Sequence, residues 1–117
     1  PDGGAHVTAA DLDRFMHAVL DGHLLSPKLT AAFLTPQVIH SVRDGWVEHY
    51  GFGPWFHIGD DGTLVFLEKD GINAGASGLV RHYPARDLTV VMLSNLEDGV
   101  WEPIRVAHEM VVAGAFG

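Results

Sequence analysis

Closely spaced strand-like runs, joined by short turns, constrain the fold of this 117-residue chain more than any other feature. The turn signals Asp60-Asp61-Gly62 and Pro84 to Asp87 separate neighbouring runs by only a few residues. A parallel pairing would need a crossover of a dozen or more residues. The sequence therefore predicts an antiparallel sheet. Its expected strands are the runs Tyr50 to Ile58, Thr63 to Leu67, Gly78 to Tyr83 and Leu88 to Leu93.

Helix signals occur at both ends of the chain. Thr8 is a good N-cap, with Asp11 in the position of a capping box, and Gly22 is placed to end that helix in a left-handed conformation. Ser26-Pro27 predicts a second, short helix, and Pro103 is placed to start a last one. The expected buried stripes are Leu12, Phe15, Met16, Val19 and Leu20 in the first helix, and Ile104, Ala107, Met110 and Val111 in the last.

Together these patterns predict the α+β class: an antiparallel β-sheet packed with N-terminal and C-terminal helices. We expect one domain over residues 1–117, with a helical part at about 1–36, the sheet at about 47–95 and a terminal helix at about 102–114. The almost continuous apolar run Leu88 to Leu93 predicts a central strand covered on both faces. Pro54 predicts that the aromatic strand lies near an edge or contains a bulge. The stretch Val38 to Val47 gives no assignable element.

Composition excludes several function classes. The hydrophobic content of 47% indicates a folded globular chain, while the formal charge of −8 argues against binding to nucleic acid. No apolar window is long enough for a transmembrane segment, and the absence of cysteine excludes disulfides and thiolate chemistry.

The segment Lys69 to Gly78 is the candidate site. It combines a cation, a carboxylate, an amide, a hydroxyl and several glycines between two strand-like runs. Glycine in such a place lets another group approach the backbone closely. Two interpretations remain open from composition alone: a loop that only turns the chain, and a functional site.

Several short motifs, taken in order, resemble the serine β-lactamase-like and penicillin-binding-protein-like family, which includes class C β-lactamases, DD-peptidases and related esterases. Lys69-Asp70-Gly71 resembles the family's third active-site motif, K-T-G or H-x-G, and Asn73-Ala74-Gly75 resembles the residues that follow it. The other matching segments are Gly3-Gly4 with Thr8, Asp11 and Arg14-Phe15, then Leu24 to Pro27, Tyr50 to Trp55, and Leu88 to Asn95.

The resemblance implies a part of the β-lactamase/transpeptidase-like fold and an acyl-transfer chemistry on a β-lactam, peptide or ester substrate. It implies that Lys69 supplies positive potential, that Gly71 permits close approach, and that the backbone N–H of Ile72 is an oxyanion donor. Asp70 and Asn73 would contact substrate. From the residues alone, Lys69 could instead be an exposed lysine paired with Glu68 or Asp70, and Asp70 and Asn73 could be ordinary turn residues.

The family's nucleophile motif Ser-x-x-Lys and its second motif Tyr-x-Asn do not occur in this sequence. The resemblance therefore implies a C-terminal portion of such an enzyme, inactive alone. Asp70 stands where the family has Thr or Ser, and its charge would repel the carboxylate of a β-lactam, which favours an esterase-like relative. Ser77 lacks the Gly-x-Ser-x-Gly context of a nucleophile elbow and is expected to be a small residue in a strand.

No metal site or cofactor is predicted, because the eight histidines show no recognised ligand spacing. The alternatives to a hydrolase portion are a binding module for a small ligand or peptide, and a self-associating domain. Apolar surface left uncovered favours a homo-oligomer that buries the face beside residues 69–77. The resemblance is compatible with a periplasmic or secreted protein.

Overall fold

The computed structural model describes residues 3–116, so the first two residues of the predicted helical part lie outside the described residues. Six antiparallel strands form one sheet, in which the spatial order of the strands follows their order in the chain. The strands are β1 Val38–Arg43, β2 Trp46–Tyr50, β3 Trp55–Gly59, β4 Leu64–Asn73, β5 Ala76–Tyr83 and β6 Leu88–Ser94. The helices are α1 Ala9–Leu20, α2 Pro27–Phe33 and α3 Trp101–Val112, and a 3-10 turn, Pro84–Arg86, joins β5 to β6. The predicted α+β class is confirmed.

Helices α1 and α3 pack on opposite faces of the sheet, here called the α1 face and the α3 face. On the α1 face, Met16 of α1 packs with Phe56, Leu67 and Val80. Two clusters form on the α3 face. Phe66, Tyr83 and Val111 make up the first, and Leu79, Val100 and Ile104 the second. Successive residues of a strand point to opposite faces, so Leu79 and Val80 can serve the two layers from adjacent positions.

Local capping explains where α1 begins and ends. Thr8 and Asp11 form a capping box, and Gly22 follows the helix with φ +73°, both as the sequence predicts. The buried stripes differ from the prediction in detail. Phe15 and Met110 are 55% and 45% exposed, while Met16 and Val111 carry the contacts with the sheet. The helical period identifies an apolar side, but the side chain at its centre depends on the angle at which the helix packs.

The stretch Val38 to Val47, left unassigned by sequence, forms most of the hairpin β1–β2. Asp44-Gly45 is its turn, with Gly45 at φ +88°. The run Tyr50 to Ile58 is not one strand, because the chain turns between Tyr50 and Trp55 and continues as β3. Neither part of the run is an edge strand, because β1 lies outside β2 and β3. The pairing of β3 with β4 has a register shift between His57 and Ile58. Pro54 lies buried in the turn between β2 and β3.

The prediction that Leu88 to Leu93 is a central strand is also wrong, because β6 lies at the end of the sheet. Its two faces are nevertheless both covered. Val91 packs against the α1-face cluster, and Val90 and Met92 pack on the α3 face. A continuous apolar run indicates that both faces of a strand are buried. It does not indicate whether the strand has a hydrogen-bonded neighbour on each side.

Candidate functional site

The C-terminal half of β4 is paired with a neighbouring strand on one side only. Its pairing with β3 ends at Trp55↔Glu68, whereas its pairing with β5 continues to Asn73↔Ala76. The backbone from Lys69 to Asn73 therefore lacks a strand partner on the β3 side, and we call this segment the open edge. An unpaired edge presents N–H and C=O groups to whatever binds there.

Strand alternation identifies which backbone groups face outward. The loop between β4 and β5 is the two-residue segment Ala74-Gly75, with Gly75 at φ +77°, and Asn73↔Ala76 closes it. The closing pair of a two-residue hairpin is hydrogen-bonded, and hydrogen-bonded pairs then alternate with non-hydrogen-bonded ones. The register runs without a bulge from Leu67↔His82 to this pair. It follows that Asp70 and Ile72 direct their N–H and C=O groups toward the open edge.

Lys69 lies on the α1 face, and its Nζ is 5.6 Å from the centroid of the Tyr50 ring. It makes no ion pair within residues 3–116, so the alternative in which Lys69 pairs with Glu68 or Asp70 is wrong; Glu68 pairs with Arg81 instead. Lys69 is the one charged residue lining a largely apolar cavity of about 170 Å³ between α1, α2 and the sheet. The apolar lining includes Phe15, Met16, Phe33, Leu67 and Val80.

Gly71 has no structural reason within the described residues to be glycine. A Cβ placed there meets no atom within 4 Å, and its φ is not positive. Its cross-strand partner Gly78 differs, because a Cβ there would lie 3.1 Å from Leu93 Cδ2. Glycine inside a strand costs roughly 0.5–1 kcal/mol relative to alanine. The open space above Gly71 lies on the α1 face, beside the open edge and next to Lys69.

The two remaining candidate residues occupy opposite faces. Asp70 is half-buried on the α3 face, opposite Leu79, and takes no part in an ion pair within residues 3–116. Asn73 is exposed on the α1 face, and its amide packs against Gly3, where an added Cβ would lie 2.6 Å from Nδ2. The structure thus brings Lys69, Gly71 and Asn73 together on one face and sets Asp70 on the other.

Comparisons with known proteins establish the family of this chain. A family model described as Beta-lactamase matches residues 1–115. This chain belongs to the β-lactamase family. It is also similar to the crystal structure of a penicillin binding protein from Bacillus halodurans, with 29% sequence identity and a TM-score of 0.82. That alignment covers 93% of this chain and 32% of the other, so the chain spans about a third of the length of that protein. The search of curated proteins finds no significant match.

A buried polar network supports the open edge of this β-lactamase-family chain from the α3 face. The Nε of Arg81 donates to Glu68 Oε2 at 2.8 Å, and its Nη1 donates to the Tyr83 hydroxyl at 3.3 Å. The Arg81 guanidinium also lies 3.8 Å from the centroid of the Phe66 ring. Burial raises the pKa of Glu68, and the hydrogen bond from Arg81 offsets part of that rise. The network fixes β4 at Glu68, the residue where its pairing with β3 ends.

Two histidines extend this network on the α3 face. His108 Nδ1 lies 3.1 Å from the Tyr83 hydroxyl, and His57 stacks on Phe66 with centroids 4.4 Å apart. Burial is the largest cause that lowers the pKa of His57, to about 4, and burial also lowers the pKa of His108. Within residues 3–116 no group of three or more histidine or acidic side chains is placed to hold a metal ion.

Ser77 has a structural role in β5. It is 6% exposed, and its Oγ donates to the Leu96 carbonyl at 2.7 Å, which holds the loop after β6 against the sheet.

Sequence reasoning did not assign Tyr50 to the site, although it lies beside the Lys69 ammonium. The Tyr-Gly-x-Gly run, which resembles a segment of the family, could have pointed to Tyr50. The contact with Lys69 arises only because β3, which follows Tyr50 in the chain, pairs with β4. None of the helices over residues 3–116 has the length and hydropathy needed to cross a membrane.

Proposed function

We propose that this chain provides the sheet side of an acyl-transfer site for a β-lactam, peptide or ester substrate. The observation that carries the proposal is the open edge, which offers backbone groups of Ile72 beside Lys69 and the open space at Gly71. A donor aimed at the developing oxyanion is the main requirement of such a reaction, together with a nucleophile and a base. The N–H of Ile72 is proposed as that donor, and its C=O as a docking group for substrate.

Lys69 and Gly71 complete this half of the site. The Lys69 ammonium has no ion-pair partner within residues 3–116, so its field acts on whatever occupies the α1 face next to the edge. Gly71 leaves room for an acyl group to approach that face. The sequence contains no Ser-x-x-Lys motif, and Ser77 is buried in a hydrogen bond. By itself the chain is therefore proposed to bind acyl compounds without turning over β-lactams or esters.

Gly71→Val tests the close approach. A valine side chain enters open space and suits a strand, so the melting temperature should stay the same or rise. Binding of N-acetyl-dialanine amide, followed by amide shifts of residues 70–73, should weaken at least about tenfold if the α1 face of the edge receives the acyl group. The control is Ala76→Val, which adds bulk on β5, the strand on the other side of β4. Equal affinities for the wild type and both variants would contradict the role of Gly71.

Self-association through the same edge is a second proposal. Besides the open edge, β1 presents Val38, Ile39 and Val42 with exposed fractions of 59%, 64% and 69%. Unpaired edges and exposed apolar side chains favour association of copies. We expect sedimentation at micromolar concentration to show a dimer or larger oligomer that buries the face beside residues 69–77. A clean monomer of 12.7 kDa that binds no hydrophobic dye would contradict it.

A further inference from the structure

The open edge carries charges of opposite sign on its two faces. Lys69 and Asp70 are adjacent in β4, so their side chains point to opposite faces. Lys69 lines the cavity on the α1 face, together with Met16 and Val80. Asp70 lies on the α3 face, opposite Leu79. A molecule bound along this edge therefore meets a cation on one side and a carboxylate on the other.

The Asp70 carboxylate has no ion-pair partner among the described residues, although an arginine lies on the same face. On the same face, the carboxylate of Glu68 is paired with Arg81, and the same guanidinium also lies on the Phe66 ring. Asp70 takes part in no ion pair within residues 3–116. Its backbone groups face the open edge, so its side chain stands where that edge meets the α3 face.

An extended substrate that adds to a strand edge places alternate substituents on the two faces of the sheet. We propose that Asp70 is a specificity-determining residue that favours substrates with a cationic group, such as an ammonium, on the α3 face and disfavours a carboxylate at that position. This inference rests on the proposed function, because it requires that the edge docks the substrate. It assigns the side chain of Asp70 a role separate from the backbone groups of Ile72.

The test uses the full chain and three capped peptides, N-acetyl-Ala-Xaa-Ala-methylamide, in which Xaa is Lys, Gln or Glu. Amide shifts of Gly71 and Ile72 report docking and give the dissociation constant of each peptide. At low salt the Lys peptide should bind about three- to fivefold more tightly than the Gln peptide, and the Glu peptide should bind more weakly by a similar factor, as for a partly exposed charge pair. Added salt should reduce both differences.

Asp70→Asn should remove the difference between the Lys and Glu peptides. Asp60→Asn is the matched control, because it removes one carboxylate from the exposed turn at the other end of β4 and should leave all three affinities unchanged. Equal binding of the three peptides to the wild type, or a preference that survives in Asp70→Asn, would overturn the specificity role while leaving the docking edge intact. Peptides that shift no amide between residues 70 and 73 would overturn the docking edge and this inference together.

Discussion

Replacing Arg81 by methionine is expected to destabilise the chain by about 3–5 kcal/mol, the usual cost of removing one partner of a buried ion pair. The side chains of Arg81 and Glu68 are only 10% and 15% exposed, and they are joined at 2.8 Å. Without the guanidinium, the Glu68 carboxylate keeps its burial and loses its counter-charge. Against a total stability of roughly 5–15 kcal/mol, this loss should appear as a large drop in the urea midpoint.

The pH dependence of this effect follows from Glu68. Its pKa in the folded chain is raised above the usual 4.5, and it should rise further without Arg81. A raised folded pKa means that the stability linked to the protonated carboxyl is present below pH 4.5 and is lost as the pH rises through the folded pKa. The difference in stability between the wild type and Arg81→Met should therefore be larger at pH 7 than at pH 4.

Two further variants make this prediction specific. The double variant Arg81→Met with Glu68→Leu removes both charges and should recover much of the loss, because an apolar pair often replaces a buried ion pair without penalty. Arg105→Met removes an exposed arginine that pairs with Glu102 and Glu109 on α3, and it should change the midpoint little. An unchanged midpoint in Arg81→Met would contradict the account of the network.

Phe56→Ala is the second substitution with a large expected effect. Phe56 is fully buried on β3 and packs with Met16, Leu67 and Val80. Truncating it removes the apolar contacts and leaves a cavity between α1 and the sheet, at a cost of about 3–5 kcal/mol. The matched control is Phe52→Ala, since Phe52 is 68% exposed in the turn between β2 and β3. Equal shifts of the urea midpoint for the two variants would show that α1 does not pack on β3 in this way.

Local chemistry made both ends of α1 and the start of α2 predictable, whereas α3 begins at Trp101, without a side-chain cap and two residues before the predicted Pro103. The capping box of Thr8 and Asp11, the left-handed Gly22 and the Ser26-Pro27 start all act within a few residues of the chain, so their signals are in the sequence itself. The turn Asp60 to Gly62 was predictable for the same reason, because its residues act locally. These elements, together with short connections, were sufficient for the antiparallel sheet and the α+β class.

The errors concern relations between distant elements. The hairpin β1–β2 was missed because its polar side chains interrupt the apolar pattern; the structure accommodates them by cross-strand contacts such as His40 Nδ1 with Glu48 Oε2 at 2.9 Å. The position of β6 was wrong because a run such as Val90-Val91-Met92 reflects burial by α1 and α3, and pairing at its edge depends on other strands. Edge and centre are properties of the whole sheet.

In the candidate site, too, the sequence identified the residues but not their arrangement in the sheet. The residue types of Lys69, Gly71 and Asn73 drew attention to the segment, and the family resemblance supplied their proposed roles. The sequence could not show that β4 continues past the end of its pairing with β3, which creates the open edge. Nor could it show that Lys69 and Asp70 lie in a strand, which sets their side chains on opposite faces, because the apolar run that predicts the strand ends at Leu67.

Amide hydrogen exchange at Ile72 tests the central claim most directly. In the free chain, at a concentration where sedimentation shows it to be monomeric, the amides of Asp70 and Ile72 should exchange fast, whereas those of Gly71 and Asn73, which bond to β5, should be protected. Adding N-acetyl-dialanine amide should slow exchange at Asp70 and Ile72, because the docked backbone accepts from the open edge. A protected Ile72 in the free chain, or exchange that the peptide leaves unchanged, would contradict the proposal that this edge receives the substrate.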